Sequence, residues 1–288
     1  MKDDSDLSER VAALEKRLPA GSASHKQGRG LGWFVGMVVA AVLTVNLVVL
    51  WQAVSSETHN RLEHHFWVVS QPGTTGEQRQ EAFSALVRAG NREWRSARLK
   101  HLELHGVDLA GADLQRIDLE GSDLTDANLE SAMLRHANLE LTKLVRTNLV
   151  RANLSESFLR KVDLTDADVC RADLRSASLE QSEMVRTNLE RVDLTEANLL
   201  LGIFTDADLT RANLSWANLD AADLTRADLT DTNLEGASMR DTFFGDSNWW
   251  RARGLPTAVL ERFKKEFAPS DGAPDALKSD YRAWLDGD

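Results

Sequence analysis

Leucine recurs every five residues from Leu99 through Leu234, and Val169, Met184, Phe204, Met239 and Phe244 fill the gaps in the same register. Two residues before each stands a small or β-branched side chain, as in Ala112, Ala127, Ala172, Ala207 and Ala227, and the residue between is usually Asp or Asn. No insertion breaks the register from Leu99 to Trp249. Such a period fits neither regular element: on an α-helix the leucines would spiral round every side, and on a flat strand they would alternate faces. If the chain bends once per unit, each leucine and the small residue before it point to one axis and the other three positions face solvent. The pattern predicts a solenoid in which each coil buries its apolar side only against its neighbours.

Two helical patterns flank the repeats as expected end covers, because an open solenoid end exposes unpaired backbone and core leucine. Between Glu77 and Ala89, the residues Ala82, Phe83, Leu86 and Val87 share one helical face, with Gly90 as a stop and Trp94 before the first repeat. After the repeats, Pro256 opens a helix with the stripe Val259, Leu260, Phe263 and Phe267, ended by Pro269. A last helix begins near Asp275 and carries Leu277, Tyr281, Trp284 and Leu285, either folded back on the rod or docked on a partner.

Tandem units such as ADLTR and ADLTD over Ala222–Asp231 resemble the pentapeptide-repeat family, over about half the chain. The resemblance implies an all-β repeat domain, a right-handed quadrilateral β-helix with four pentapeptides per coil. One internal pattern agrees with four sides: every twentieth residue from Asp126 reads Asp126, Arg146, Asp166, Arg186, Asp206, Arg226, Asp246, an alternating charge ladder. A three-sided coil would align Asp126, Leu141, Glu156 and Arg171 without comparable order.

Ahead of the repeats, Leu31 to Trp51 runs 21 residues without a charge. At about 1.5 Å per residue that is enough to cross a hydrocarbon core of about 30 Å. Trp33 and Trp51 stand near its ends, and Asn46 either hydrogen-bonds a second copy, giving a homodimer, or meets water or lipid at the boundary. A cleaved signal peptide ending near Ala53, Val54 and Ser55 is the rival reading; the length of the apolar run and of the leading segment favours an uncleaved single-pass anchor. Lys16, Arg17, Lys26 and Arg29 precede the segment and only Arg61 follows nearby, so the N-terminus is expected in the cytoplasm and the repeats outside. Leu7, Val11, Leu14 and Leu18 form a two-heptad seam, behind the capping pair Asp6 and Glu9, that would reinforce pairing. The expected divisions are 1–30, the membrane segment 31–51, a juxtamembrane and capping region 52–98, the solenoid 99–249, a cap helix 250–268 and a tail 269–288.

Composition narrows the function. A formal charge of -11 weighs against direct nucleic-acid binding, which needs a basic surface to displace counterions. Cys170 is the single cysteine, so no intramolecular disulfide exists. There is no phosphate loop, HExxH, GxSxG elbow or dinucleotide glycine pattern, and no cofactor is expected. His59, Glu63, His64 and His65 are the one metal-like cluster; solvated surface is the better reading, and a surface metalloenzyme the remote one. Repeats 99–248 carry 28 acids and 15 bases. Some soluble family members mimic DNA and bind type II topoisomerases, so the resemblance implies that rival role, although interspersed bases interrupt any regular carboxylate array.

The column Arg151, Arg171, Arg191, Arg211 stacks four like charges, with Asp173, Asp193 and Glu190 placed to neutralise them. Leu200, Leu201 and Ile203, with Trp216 one coil on and Leu141 in the column of Leu201, form the candidate surface for an unidentified protein partner. The reading that results is a non-enzymatic binding or scaffolding module presenting an acidic rod beside a membrane.

Overall fold

The computed structural model describes residues 64, 65, 68, 74–90 and 93–287. The chain divides into two units, Met1–His59 and Asn60–Asp288, and all described residues belong to the second. The segment 31–51, the seam before it, Asn46, His59 and Glu63 lie outside the described residues. Among the described residues no helix is long and apolar enough to cross a membrane.

Parallel bridges link residues at the Asp/Asn position to those twenty further on, from Glu93↔Asp113 to Asn233↔Arg253, so each coil has four sides of one pentapeptide each. The ladder therefore starts ahead of Leu99, with Trp94 in a leucine position. At about 4.8 Å per coil, eight steps give a rod of roughly 38 Å. Along it, leucine N–H groups donate to the next coil (Leu124 to Lys143 O, 2.8 Å) and the Asp/Asn N–H groups donate back (Asn148 to Ala127 O, 3.0 Å), which satisfies the backbone without long strands.

The corners explain the period. From Leu104 on, the repeat leucine carbonyls accept the N–H three residues on, as from Ala127 to Leu124 at 3.0 Å. Every fifth residue from Ser96 to Asp246 has a left-handed φ, and only Gly106, Gly111, Gly121 and Gly236 among them are glycine. A side chain at positive φ is ordinarily disfavoured. Here the turn hydrogen bond and the burial of the inward residues on either side hold it there. The Asp or Asn side chain stabilises the same turn by accepting the N–H two residues on, as Asp113 does from Gln115 at 3.1 Å and Asn188 from Glu190 at 3.1 Å. Asn amides also donate to the preceding coil, Asn148 to Asn128 at 3.2 Å and Asn188 to Asp168 at 3.0 Å.

Inward positions are filled by leucine against alanine, and Ala112, Leu114, Ala132, Leu134 and Phe204 are fully buried. Where Thr or Ser replaces alanine, its hydroxyl donates to a leucine carbonyl, as Thr147 to Leu124 O at 2.9 Å and Ser122 to Leu99 O at 2.7 Å in the coil before. Phe204 is larger than its column, and Gly202 stands where alanine is usual: a Cβ there would lie 2.9 Å from the Phe204 ring.

Both expected covers are present. Helix α1 (Gly76–Arg88) starts at a reciprocal capping box between Thr75 and Gln78 and buries Ala82, Phe83 and Leu86; the Phe83 ring lies 4.4 Å from that of Trp94. At the far end, helix α2 (Thr257–Glu266) sets Phe263 against Phe244 and Trp249, with ring centroids 4.6 and 5.4 Å apart, and the Trp249 indole donates to Phe267 O at 2.8 Å. Helix α3 (Asp275–Asp286) folds back on this cap: Tyr281 is buried, Trp284 meets Trp249 at 5.4 Å, and Asp280 accepts from the Trp250 indole and from Arg251. The connecting stretch is tied down by Ser270, whose N–H and hydroxyl donate to Asp246 at 2.7 and 2.9 Å.

Candidate functional site

The four-sided register sorts the outward residues into columns. In the charge ladder Arg146, Arg186 and Arg226 each make a two-pronged contact at 2.6–2.7 Å with the Asp one coil before, Asp126, Asp166 and Asp206. None bonds the Asp one coil ahead, and Asp246 is taken by Ser270. The expected continuous ladder is thus three separate pairs, because one bidentate fork uses both oxygens of one carboxylate. The Arg186 hydrogen bond holds the Asp166 carboxyl below its ordinary pKa, and Arg226 does the same for Asp206.

The arginine column is less neutralised than expected. Asp173 binds Arg175 at 2.7 Å and not Arg171, and Asp193 lies 3.9 Å from the same Arg175, because a residue two positions on in the same turn reaches these carboxylates first. Arg191 is near Glu190 at 3.5 Å and Arg211 near Asp231 at 3.8 Å, while Arg151 and Arg171 form no ion pair among the described residues. Arg135, whose twentieth neighbours Gln115 and Ser155 are uncharged, pairs diagonally with Glu156.

The apolar candidates separate by side. Leu201 (46% exposed) and the partly buried Leu200 share a corner, with Leu141 three coils back in the column of Leu201; Ile203 turns onto the following side, and Trp216 stands at the preceding corner one coil on. Trp216 is 65% exposed, yet its ring covers Gly236, where a Cβ would lie 2.6 Å away. Phe158, on the side between the columns of Trp216 and Leu201, is 51% exposed and was hidden in the sequence by its place in an Asp/Asn position.

Burial first, then the Glu190 and Asp168 carboxylates, pushes the Cys170 thiol above its ordinary pKa, which keeps it protonated at neutral pH. His64 and His65 lie with rings 6.0 Å apart. A grouping invisible in the sequence is Glu103, His105 and Asp123, whose ligand atoms converge within 4.8 Å. His105 bonds Glu103 at 2.9 Å, and Asp123 is already held by Lys143 at 3.0 Å and the Thr125 hydroxyl at 2.6 Å, so a cation would have to displace an ammonium group. Burial opposes ionisation of Asp123, but the bonds from Thr125 and Lys143 outweigh it and bring its pKa down to about 2.

The model of the family described as pentapeptide repeats (8 copies) matches residues 103–140, 134–174, 172–211 and 207–246, together half of the chain. The chain belongs to the pentapeptide-repeat family. No curated protein matches it. Among solved pentapeptide-repeat structures, it is similar to HetL, involved in heterocyst differentiation regulation in the cyanobacterium Nostoc sp. strain PCC 7120, at 26% identity over 60% of this chain and 95% of HetL, with a TM-score of 0.25. The protein alr5209 of the same cyanobacterium is 28% identical over 35% of this chain and 79% of its own, with a TM-score of 0.20. Full-length QnrB1, a plasmid-mediated fluoroquinolone resistance protein, is 16% identical over 60% of this chain and 90% of its own, with a TM-score of 0.35. The family assignment rests on the sequence match; these superpositions add nothing on function.

Proposed function

We propose that this pentapeptide-repeat protein is a non-enzymatic interaction module, tethered to a membrane by residues 31–51 with its N-terminus cytoplasmic and its rod outside. The observation that supports a binding role is the contrast between a closed rod and its surface. The inward positions are filled and both ends are covered, while Leu201, Ile203 and Trp216, together with Leu141 and Phe158 on neighbouring columns, hold apolar area in solvent. The rod's own carboxylates are largely engaged in turns and inter-coil pairs, which favours a structural use of the Asp and Asn columns over a free acidic array. A partner protein, or a second copy paired through the anchor, would cover the apolar side chains.

The test combines topology with contact. A C-terminal reporter active only outside the cytoplasm should be active, and the chain should stay in membranes after alkaline washing. A photo-crosslinking residue at Leu201 or Trp216 should give a discrete adduct that the same residue at Arg171, two corners away from Leu201, does not. Adducts of twice the chain mass identify the homodimer. A cytoplasmic reporter would overturn the orientation, and uniform or absent crosslinking would overturn the binding surface.

A further inference from the structure

At the corner preceding the one that carries Leu201, near the start of the rod, a cleft of 240 Å³ is lined by Arg95, Ser96, Gln115, Arg116, Arg135 and His136. These residues occupy two adjacent columns on three successive coils, so a grid of donors repeats about every 4.8 Å. No carboxylate lines the cleft, although the protein carries a formal charge of -11. The neighbouring cleft, which shares Arg135, is lined by Glu156 and Glu196 as well as arginine and is of mixed sign.

The partners of the three arginines are arranged to leave donors free. Arg95 uses Nη2 on Asp113 at 3.0 Å, and Arg135 uses Nε and Nη2 on Glu156, so both guanidiniums are held from outside the cleft with N–H groups to spare. Glu156 also lies 3.6 Å from His136 Nδ1. Arg116, in the middle coil, forms no ion pair among the described residues. Three guanidiniums thus outnumber the two carboxylates that position them, and the surplus charge sits at the centre of the grid.

We propose that this cleft binds the phosphate group of a phosphomonoester, with Arg116 as the central ligand and Arg95 and Arg135 at its sides. A tetrahedral group with three outward oxygens and nearly two negative charges uses several converging guanidiniums, whereas a carboxylate is satisfied by one fork. The volume is that of about eight waters at ~30 Å³ each, enough for such a group with bridging water. The site is independent of the membrane tether and of the apolar surface.

The experiment uses the full chain held in phosphatidylcholine nanodiscs, so that its tether is already occupied, and two probes, inorganic phosphate by calorimetry and immobilised phosphatidylcholine vesicles with and without phosphatidic acid by capture. Arg116→Gln removes no ion pair, so it should melt as the wild type does while binding phosphate about tenfold or more weaker. Arg211→Gln, the same charge change on another corner, should bind as the wild type does. Binding of free phosphate alone assigns a soluble phosphomonoester, and Arg116-dependent binding of phosphatidic acid vesicles assigns a lipid headgroup. Absence of saturable binding to either probe, or equal weakening by both substitutions, would overturn the proposal.

Discussion

Replacing Gly202 with alanine should destabilise the rod, and shortening Phe204 should abolish that effect. Gly202 is not in a left-handed conformation, so a methyl group there meets only packing. Its Cβ would stand 3.0 Å from Leu199 O, a carbonyl that the alanines of the other repeats face in the same turn, and 2.9 and 3.6 Å from two carbons of the Phe204 ring. Carbon pairs are most favourable at about 3.5–4.0 Å, so the nearest carbon must retreat by more than half an ångström. Phe204 is fully buried between coils and cannot swing into solvent. Overpacking of this kind costs about 1–3 kcal/mol, offset by about 0.4–1 kcal/mol because alanine has fewer unfolded conformations. Phe204→Leu alone should cost about 1 kcal/mol or more through lost contact and residual space. In the Phe204→Leu background, Gly202→Ala becomes an ordinary repeat alanine, neutral or stabilising, giving a coupling of about 1–3 kcal/mol between the sites. Urea unfolding of the four full-length proteins by circular dichroism measures it from the midpoints, with the slope checked because repeat arrays can unfold in parts. An equal effect of Gly202→Ala in both backgrounds would refute the argument that the phenylalanine dictates the glycine.

Two further outcomes follow from the charges. Arg186→Asp places three carboxylates in successive rungs where one bidentate pair to Asp166 had been, and should lower the melting midpoint at low salt more than Lys161→Asp, whose column neighbours Leu141 and Gln181 are uncharged; the difference should vanish near 1 M salt, and a salt-independent difference would exclude the pair as its origin. The folded-state pKa of Asp123, about 2, lies below an unfolded value of about 3.9. Its contribution is therefore complete above pH ~4 and lost as pH falls towards 2, so Asp123→Asn should flatten acid unfolding across that window, and an unchanged acid limb would show that Asp123 gains nothing from Thr125 and Lys143.

The inward leucines were legible because a period of five without insertion leaves a solenoid as the way to bury them together; the four sides were implied by the family resemblance and agreed with a charge ladder that repeats at the coil length. Which Asp each Arg would choose was not legible: rung spacing is symmetric, and only the side-chain path makes Arg186 reach back to Asp166. The left-handed corners were equally silent, since glycine marks only four of them and Arg, Leu and Trp occupy others. Column reasoning also misjudged Arg171, because Asp173 is taken by Arg175 within its own turn. The phosphate cleft escaped notice for a related reason: Arg95, Arg116 and Arg135 belong to two columns and converge only when a corner folds them together. The docking of α3 depended on Asp280 finding Trp250 and Arg251, a pairing that no local periodicity encodes.

The uninterrupted twenty-residue ladder from Glu93 to Arg253 makes the molecule's length a digital quantity. Duplicating or losing one whole coil would slide the C-terminal helices along the axis and leave every column aligned. Gaining or losing a single pentapeptide would keep the leucine interior intact yet rotate everything beyond it by a quarter-turn, so that each carboxylate faced a new set of partners and the cap arrived on a different edge. The interior tolerates steps of five, the exterior only steps of twenty, and it is the exterior that restricts a neutral duplication to whole turns.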